Sequence, residues 1–192
     1  MLGNVRIAGL FISGGHNFFG HYGREAGESP TISVEQVECV AGKGLMGDRF
    51  FEHKENHKGQ VTFFEFETFN DLCRRFQVMD KSPGVFRRNI VTLGANLNDW
   101  IGKEFEIQGV WFEGTEEAVP CLWMNHAFCQ GTEAAMKGRG GLRARILTDG
   151  MLRVDAQRRG RIVLQFKVKA RRALAAMVGA STSGDCGLPT IP

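Results

Sequence analysis

One thiol, Cys121, follows Pro120 at the end of the run Glu113-Gly114-Thr115-Glu116-Glu117-Ala118-Val119-Pro120-Cys121. Arginine-bearing segments flank it in sequence: Arg87-Arg88-Asn89-Ile90 upstream, and Gly140-Gly141-Leu142-Arg143-Ala144-Arg145 downstream. A thiolate is a strong nucleophile and a soft metal ligand, and neighbouring cations favour it over the thiol. Guanidinium forks bind phosphate and other oxyanions. Converging on one pocket, a thiol and several arginines suit an anionic, metal-bearing cofactor. A third segment, Ser13-Gly14-Gly15-His16-Asn17-Phe18-Phe19-Gly20-His21-Tyr22-Gly23, is rich in glycine. Its backbone N–H groups can approach a phosphate and its histidines can donate hydrogen bonds, so it reads as a pocket-lining loop with His16 or His21 near the rim.

Other candidates carry less. Cys73 falls with Phe69, Leu72 and Phe76 on one helical stripe and is expected in the core. Cys121, His126 and Cys129 form a C-x4-H-x2-C pattern, but a structural zinc site needs four ligands and nothing selects the fourth. Asp48 and Arg49 read as a pair that organises their own glycine-rich loop, ranking below Arg88 as ligand contacts.

The elements that must position these groups are short. Val5–Ile12 and Ile32–Val40 read as strands, as do Gln60–Phe64 and Arg88–Leu93. Glu65–Phe76 is the clearest helix. Phe105, Ile107 and Trp111 alternate with polar residues, so Lys103–Glu113 reads as one long half-buried strand with a bulge at Gly109. Asn125–Lys137 reads as a short helix. Asp149-Gly150 signals a hairpin. A three-residue turn there sets Ala144, Ile146, Leu152 and Val154 inward and Arg143, Arg145 and Arg153 outward, with Arg145 opposite Arg153. Ile162–Val168 reads as a last strand. The expected organisation is one mostly β domain over 1–170, followed by a brief helix or loosely held tail over 171–192.

Composition bounds the class. The chain has 192 residues, 43% hydrophobic and 23% charged, which suits a globular domain with a real core. No apolar run reaches membrane-spanning length, and no basic start leads into a long apolar stretch. Five irregularly spaced cysteines then read as reduced thiols in a cytoplasmic protein. Net charge is +3, with no acid between Ala156 and Gly184. That stretch could face an anionic partner, but its only aromatic residue is Phe166, so nucleic acid is not the expected ligand.

Taken in order, Gly44-Leu45-Met46-Gly47-Asp48-Arg49, Arg87-Arg88-Asn89-Ile90-Val91, Leu97-Asn98-Asp99-Trp100-Ile101-Gly102-Lys103-Glu104-Phe105, Gly114-Thr115-Glu116 leading to Cys121, and Arg139-Gly140-Gly141-Leu142-Arg143-Ala144-Arg145 resemble the MOSC family, named after the C-terminal domain of molybdenum cofactor sulfurases. The small, stand-alone bacterial members are the nearest type. The resemblance implies a mostly antiparallel β-barrel that binds a molybdopterin-type cofactor or carries sulfur on the cysteine. The family's cysteine maps to Cys121, as metal ligand and catalytic residue. Arg88 and Asn89 map to its strand motif, and with Arg143, Arg145, His16 and Asn17 are the expected cofactor contacts. The implied activity is reduction of small N- or S-oxygenated compounds, with a separate protein as electron donor because no flavin, haem or iron–sulfur motif is present. A sulfur carrier with a persulfide on Cys121 is the alternative; lacking a Schiff-base lysine motif, it needs a separate sulfur donor. A basic interaction module without chemistry is the third reading.

Overall fold

The computed structural model describes residues 5–17 and 27–156. The expected strand over Ile162–Val168, the tail over 171–192 and His21 lie outside the described residues.

In chain order the elements are β1 (Arg6–Ile12), β2 (Ile32–Val34), β3 (Gln36–Val40), β4 (Gly44–Leu45), β5 (Val61–Glu65), α1 (Phe66–Phe76), β6 (Ile90–Leu93), β7 (Glu104–Ile107), β8 (Val110–Glu117), α2 (Trp123–Ala127), α3 (Thr132–Ala135), β9 (Leu142–Ile146) and β10 (Gly150–Arg153). Seven strands form one sheet in the order β2-β1-β6-β5-β9-β8-β7, and β10-β3-β4 form a second. The expected antiparallel barrel is corrected on two counts. Each sheet runs from one edge strand to another without closing, among the described residues. The larger sheet is also mixed, because β5 and β6 pair in parallel with Phe63 beside Ile90 and Phe64 beside Val91. Parallel neighbours need a crossover, and α1 with the turn after it supplies one.

Alternating side chains of β5 serve two cores. Phe63 packs between the sheets with Leu10, Leu45, Phe105, Phe112, Ile146 and Leu152. Phe64 packs on the other face against Phe69, Leu72 and Cys73 of α1, with Met124, Phe128 and Met136. A strand buried on both faces is rich in apolar residues, as Val61, Phe63 and Phe64 show, and its one polar side chain, Thr62, is buried on Asn89. Helix α1 lies where the 3.6-residue stripe places it, and Cys73 is buried as expected.

Four local readings change. The long strand over 103–113 is a β7–β8 hairpin. Gln108 at φ 51° and Gly109 at φ 83° make its two-residue turn, which reverses the chain and turns Trp111 outward while Val110 and Phe112 are buried. Ile32–Val40 breaks at Glu35, and its halves join different sheets. The helix over 125–137 is two short helices parted around Gly131, at φ 88°. The 143–154 hairpin does not form: both edges of β9 are taken, by β5 and β8, and β10 pairs with β3. Asp149 Oδ1 accepts from Ala41 N at 2.7 Å and ties the turn to that second sheet. Its inward residues are nonetheless the expected ones: Ala144, Ile146 and Leu152 are buried, while Arg145 meets Glu113 rather than Arg153.

Candidate functional site

At the end where β5 and β6 begin, four connecting segments and β9 line a cavity of about 190 Å³. Among the described residues four arginines line it, Arg49, Arg87, Arg88 and Arg143, with Cys121, His16, Asn17, His57 and Trp123, and no acid. The parallel pair explains the convergence. Both strands run the same way, so the loop before β5 (His57, Gly59) and the turn before β6 (Arg87, Arg88) meet at one end. The loop after β8 then brings Cys121, and β9 brings Arg143.

Arg87 is the chief organiser. It sits at φ 55° after the 3-10 turn Pro83–Phe86, and its N–H caps that turn on Gly84 O at 2.9 Å. Its guanidinium is buried and donates to Gly15 O at 2.6 Å, Ser13 Oγ at 3.2 Å and Ser29 O at 3.3 Å. These bonds fasten the glycine-rich segment across the cavity. Burial pushes the Arg87 pKa down to about 10, Arg49 adds to the shift and Asp48 opposes it. Arg88 donates through Nε to Gly140 O at 2.9 Å and through Nη2 to Ala118 O at 2.6 Å, bracing the loop that ends in Cys121. Burial lowers its pKa to about 10 as well. Neighbouring Cys121 raises it, while Arg143 and Arg49 push it further down. Guanidinium groups removed from water beside one another favour an anion.

Beneath them lies a polar hub. Asp48 accepts from Ser13 N, Phe50 N and Asn89 Nδ2, each at 3.1 Å, and pairs with Arg49 at 3.4 Å. Asn89 spends its whole carboxamide on the protein. Oδ1 accepts from Thr62 N at 3.1 Å and Thr62 Oγ1 at 2.8 Å, and Nδ2 donates to Asp48 and, at 3.1 Å, to Phe11 O.

Cys121 is exposed at the cavity, whereas Cys39, Cys73 and Cys129 are buried. Burial pushes the Cys39 thiol to about 12 and the Cys73 thiol to about 11. The approach to Cys121 depends on Gly140, where a Cβ would collide with Ala118 O and lie 2.8 Å from Pro120 Cδ. No group of three or more His, Cys, Asp or Glu residues is placed to hold a bare metal ion among the described residues. Cys121, His126 and Cys129 form no such group: Cys129 packs in the helical core, and His126 is exposed.

Three imidazoles surround Phe50. His57 stacks on it with centroids 5.3 Å apart, and His16 and His53 meet it edge-on at 5.1 and 5.4 Å. His16 and His57 both have lowered pKa values. Burial is the first cause for each, followed by Arg49 and His53 for His16 and by His53 and Arg143 for His57.

Residues 51–158 match the MOSC domain. The chain belongs to the MOSC domain family. This family is associated with molybdenum cofactor binding. No curated protein matches the sequence. Among solved structures, this MOSC chain is similar to YuaD from Bacillus subtilis, with a TM-score of 0.60 at 15% identity over 78% of this chain and 91% of that one. It is also similar to YiiM from Escherichia coli, with a TM-score of 0.55 at 17% identity over 84% and 74%. YiiM from Geobacillus stearothermophilus gives 0.55 at 16% identity over 84% and 80%. These likenesses establish the fold. No helix among the described residues is long and apolar enough to cross a membrane.

The MOSC match contains Arg87, Arg88, Cys121 and Arg143, while His16, Asn17 and Arg49 reach the cavity from the segment before it. Of the residues expected from sequence, Cys121, Arg88, Arg143, His16 and Asn17 come together. Asn89 does not line the cavity, because its polar atoms are consumed by the hub. Arg145 does not either, because it closes on Glu113 at 2.8 Å. Arg49, Arg87, His57 and Trp123 were not among the expected contacts. The adjacency of Arg87 to Arg88 and the Asp48-Arg49 pair were the available signals.

Proposed function

We propose that this MOSC domain binds a molybdopterin-type cofactor, with its phosphate held by the arginine pocket and its metal ligated by Cys121. The observation that supports this most is the donor set: four arginines and one exposed thiol at a cavity that no acid lines among the described residues. A single protein thiol is a poor site for a bare ion but suits a metal that brings its own ligands. The residues therefore fit the group. The cofactor supplies two-electron molybdenum chemistry when bound.

The protein's part is to bind and orient. Arg49, Arg87, Arg88 and Arg143 take the anionic end; Arg88 has Nε and Nη2 committed to carbonyls, which leaves Nη1 for the ligand. Arg88 also fixes the loop carrying Cys121, so thiol and phosphate site are held by one side chain. Neutral His16 and His57 can donate to the ligand without adding to the charge already present. Small N- or S-oxygenated compounds are the proposed substrates, and a separate protein the electron donor.

The test is co-expression with molybdenum-cofactor biosynthesis, followed by metal and pterin analysis. The expected result is stoichiometric molybdenum and pterin in the wild type, and loss of the metal in Cys121→Ser with circular dichroism unchanged. Wild type without metal or pterin overturns the reading. If that protein instead carries an extra sulfur atom on Cys121, removable by a thiol reductant, the sulfur-carrier reading replaces it.

A further inference from the structure

The thiol of Cys121 and the arginines are also placed to act together on a reagent that carries no metal. Cys121 is held from both sides. Before it, Arg88 donates to Ala118 O at 2.6 Å and to Gly140 O at 2.9 Å. After it, Met124 N donates to Cys121 O at 2.9 Å, and Trp123 Nε1 donates to Val85 O at 2.7 Å. The exposed thiol therefore keeps one position relative to the guanidinium groups that line the same cavity. Burial lowers the Arg88 pKa, and of the neighbours that raise it Cys121 comes first, ahead of Glu117.

The carboxylates close to these arginines do not line the cavity. Glu116 is held between Lys58 and Arg143, and Glu117 accepts from Gly140 N at 3.0 Å. A small molecule approaching Cys121 thus meets positive charge, which draws in an anion and repels a cation. The other described thiols cannot take part. Cys39 is buried between the sheets, and Cys73 and Cys129 are buried in the helical core. A disulfide formed on Cys121 meets no second described thiol that could attack and release it, so it persists until a small thiol arrives from solvent.

We propose that Cys121 is a thiolation site for disulfides of small anionic thiols, and that the captured half lays its carboxylates in the arginine pocket and closes it to other anions. The Cys121 thiolate attacks one sulfur of the incoming disulfide. The bond between the two incoming sulfurs breaks, a new S–S bond to Sγ forms, and the other half leaves as a thiolate. Cys121 is oxidised, the leaving half is reduced, and the proton given up by the Cys121 thiol passes to solvent. A small thiol reverses the exchange. This rests on the reading of the arginine pocket as an anion site and adds a redox control over it: a capped Cys121 can neither ligate a metal nor leave the arginines free.

The test uses the full chain with glutathione disulfide as the anionic probe and cystamine as the cationic one. Each is reacted with native protein and with protein unfolded in urea, and mass analysis of the intact chain and its peptides gives rate and position. Unfolding disperses the arginines, so the preference measured there is intrinsic to the reagents. At low salt, native Cys121 should favour glutathione disulfide over cystamine at least about tenfold more than unfolded Cys121 does, and the excess should fade in strong salt. Arg143→Ala should cut it severalfold, whereas Arg145→Ala, which removes a charge already paired with Glu113, should leave it unchanged. Thiolated protein should bind sulfate at least about tenfold more weakly and recover after dithiothreitol. Equal preferences in native and unfolded protein, or native adducts on Cys39, Cys73 or Cys129 in place of Cys121, overturn the proposal. Thiolated protein that binds sulfate as the free protein does overturns it as well. Metal and pterin analysis of co-expressed protein separates it from the cofactor reading. Charge preference without molybdenum or pterin overturns the cofactor reading alone. Bound molybdenum and pterin in a protein whose metal-free form shows no charge preference overturns the thiolation site alone.

Discussion

Arg143 and Arg145 stand two residues apart on one face of β9, and their surroundings send them to different ends. Arg145 lies opposite Glu113 on β8 and pairs with it alone at 2.8 Å. Arg143 meets Glu116 at 3.2 Å, but the same carboxylate is held by Lys58 at 2.5 Å. Lys58, by its hydrogen bond, is the first cause of the lowered Glu116 pKa. The charge of Arg143 is thus only partly compensated, and it joins Arg49, Arg87 and Arg88 at a cavity that no acid lines among the described residues. An arginine's role here is decided by the carboxylate across the strand and by what else that carboxylate holds.

The largest effect should come from the buried support of the pocket. Asp48→Ala leaves several donors and Arg49 without their shared acceptor, and should cost about 3–5 kcal/mol in urea denaturation. Arg145→Ala, losing a partly exposed pair, should cost at most about 1 kcal/mol. Similar costs for the two would show that Asp48 is no hub. Next is the contrast among thiols. In native protein iodoacetamide should label Cys121 at least roughly 100-fold faster than Cys39 or Cys73, by peptide mass analysis, because Cys121 is exposed and burial both shields the other two and suppresses their thiolates. Equal rates would place Cys121 in a sealed environment.

Smaller is the direct comparison on β9. By calorimetry at low salt, Arg143→Ala should weaken sulfate binding about tenfold and Arg145→Ala by less than about twofold. Equal losses would erase the distinction between them. The smallest effect is pH-linked. His16 and His57 have native pKa values below 6.5, so the unfolded chain takes up protons first. Their contribution to stability is complete above that value and is lost as pH falls through the depressed native values. A bound anion opposes the loss, so sulfate affinity should rise severalfold from about pH 7.5 to about pH 5.5, and His57→Gln should flatten that slope. A pH-independent affinity would mean that neither imidazole faces the anion.

Much of this was legible locally. The stripe of α1 and the inward set Ala144, Ile146 and Leu152 follow from side-chain period alone. Partners did not follow, because period says which way a residue faces and not which strand it meets. That is why the β9–β10 hairpin was mistaken and Arg145 was set against Arg153 rather than Glu113. The turn at Gln108-Gly109 was missed because Gln is an unusual residue at positive φ, whereas Gly109 alone also suits a bulge. At the site, the motif around Arg88 and Cys121 was visible. Asn89 does not line the cavity because a polar residue in a binding motif can serve the frame beneath the ligand. Arg87 was passed over because its importance lies in carbonyls of Gly15 and Ser29, far away in sequence.

The parallel pairing of β5 and β6 has a consequence for folding order. Closing that pair means bringing Phe63 and Ile90 together around α1, a non-local event that loop entropy makes slow. Two walls of the arginine pocket, His57 with Gly59 and Arg87 with Arg88, hang from the starts of those two strands, and Cys121 and Arg143 are placed against them. Arg87 reaches the glycine-rich segment only once β6 has docked on β1 as well. No half-built pocket can therefore hold an anion with useful strength. Loading is confined to the finished fold, and ligand added during refolding should raise the final stability without speeding the approach to it.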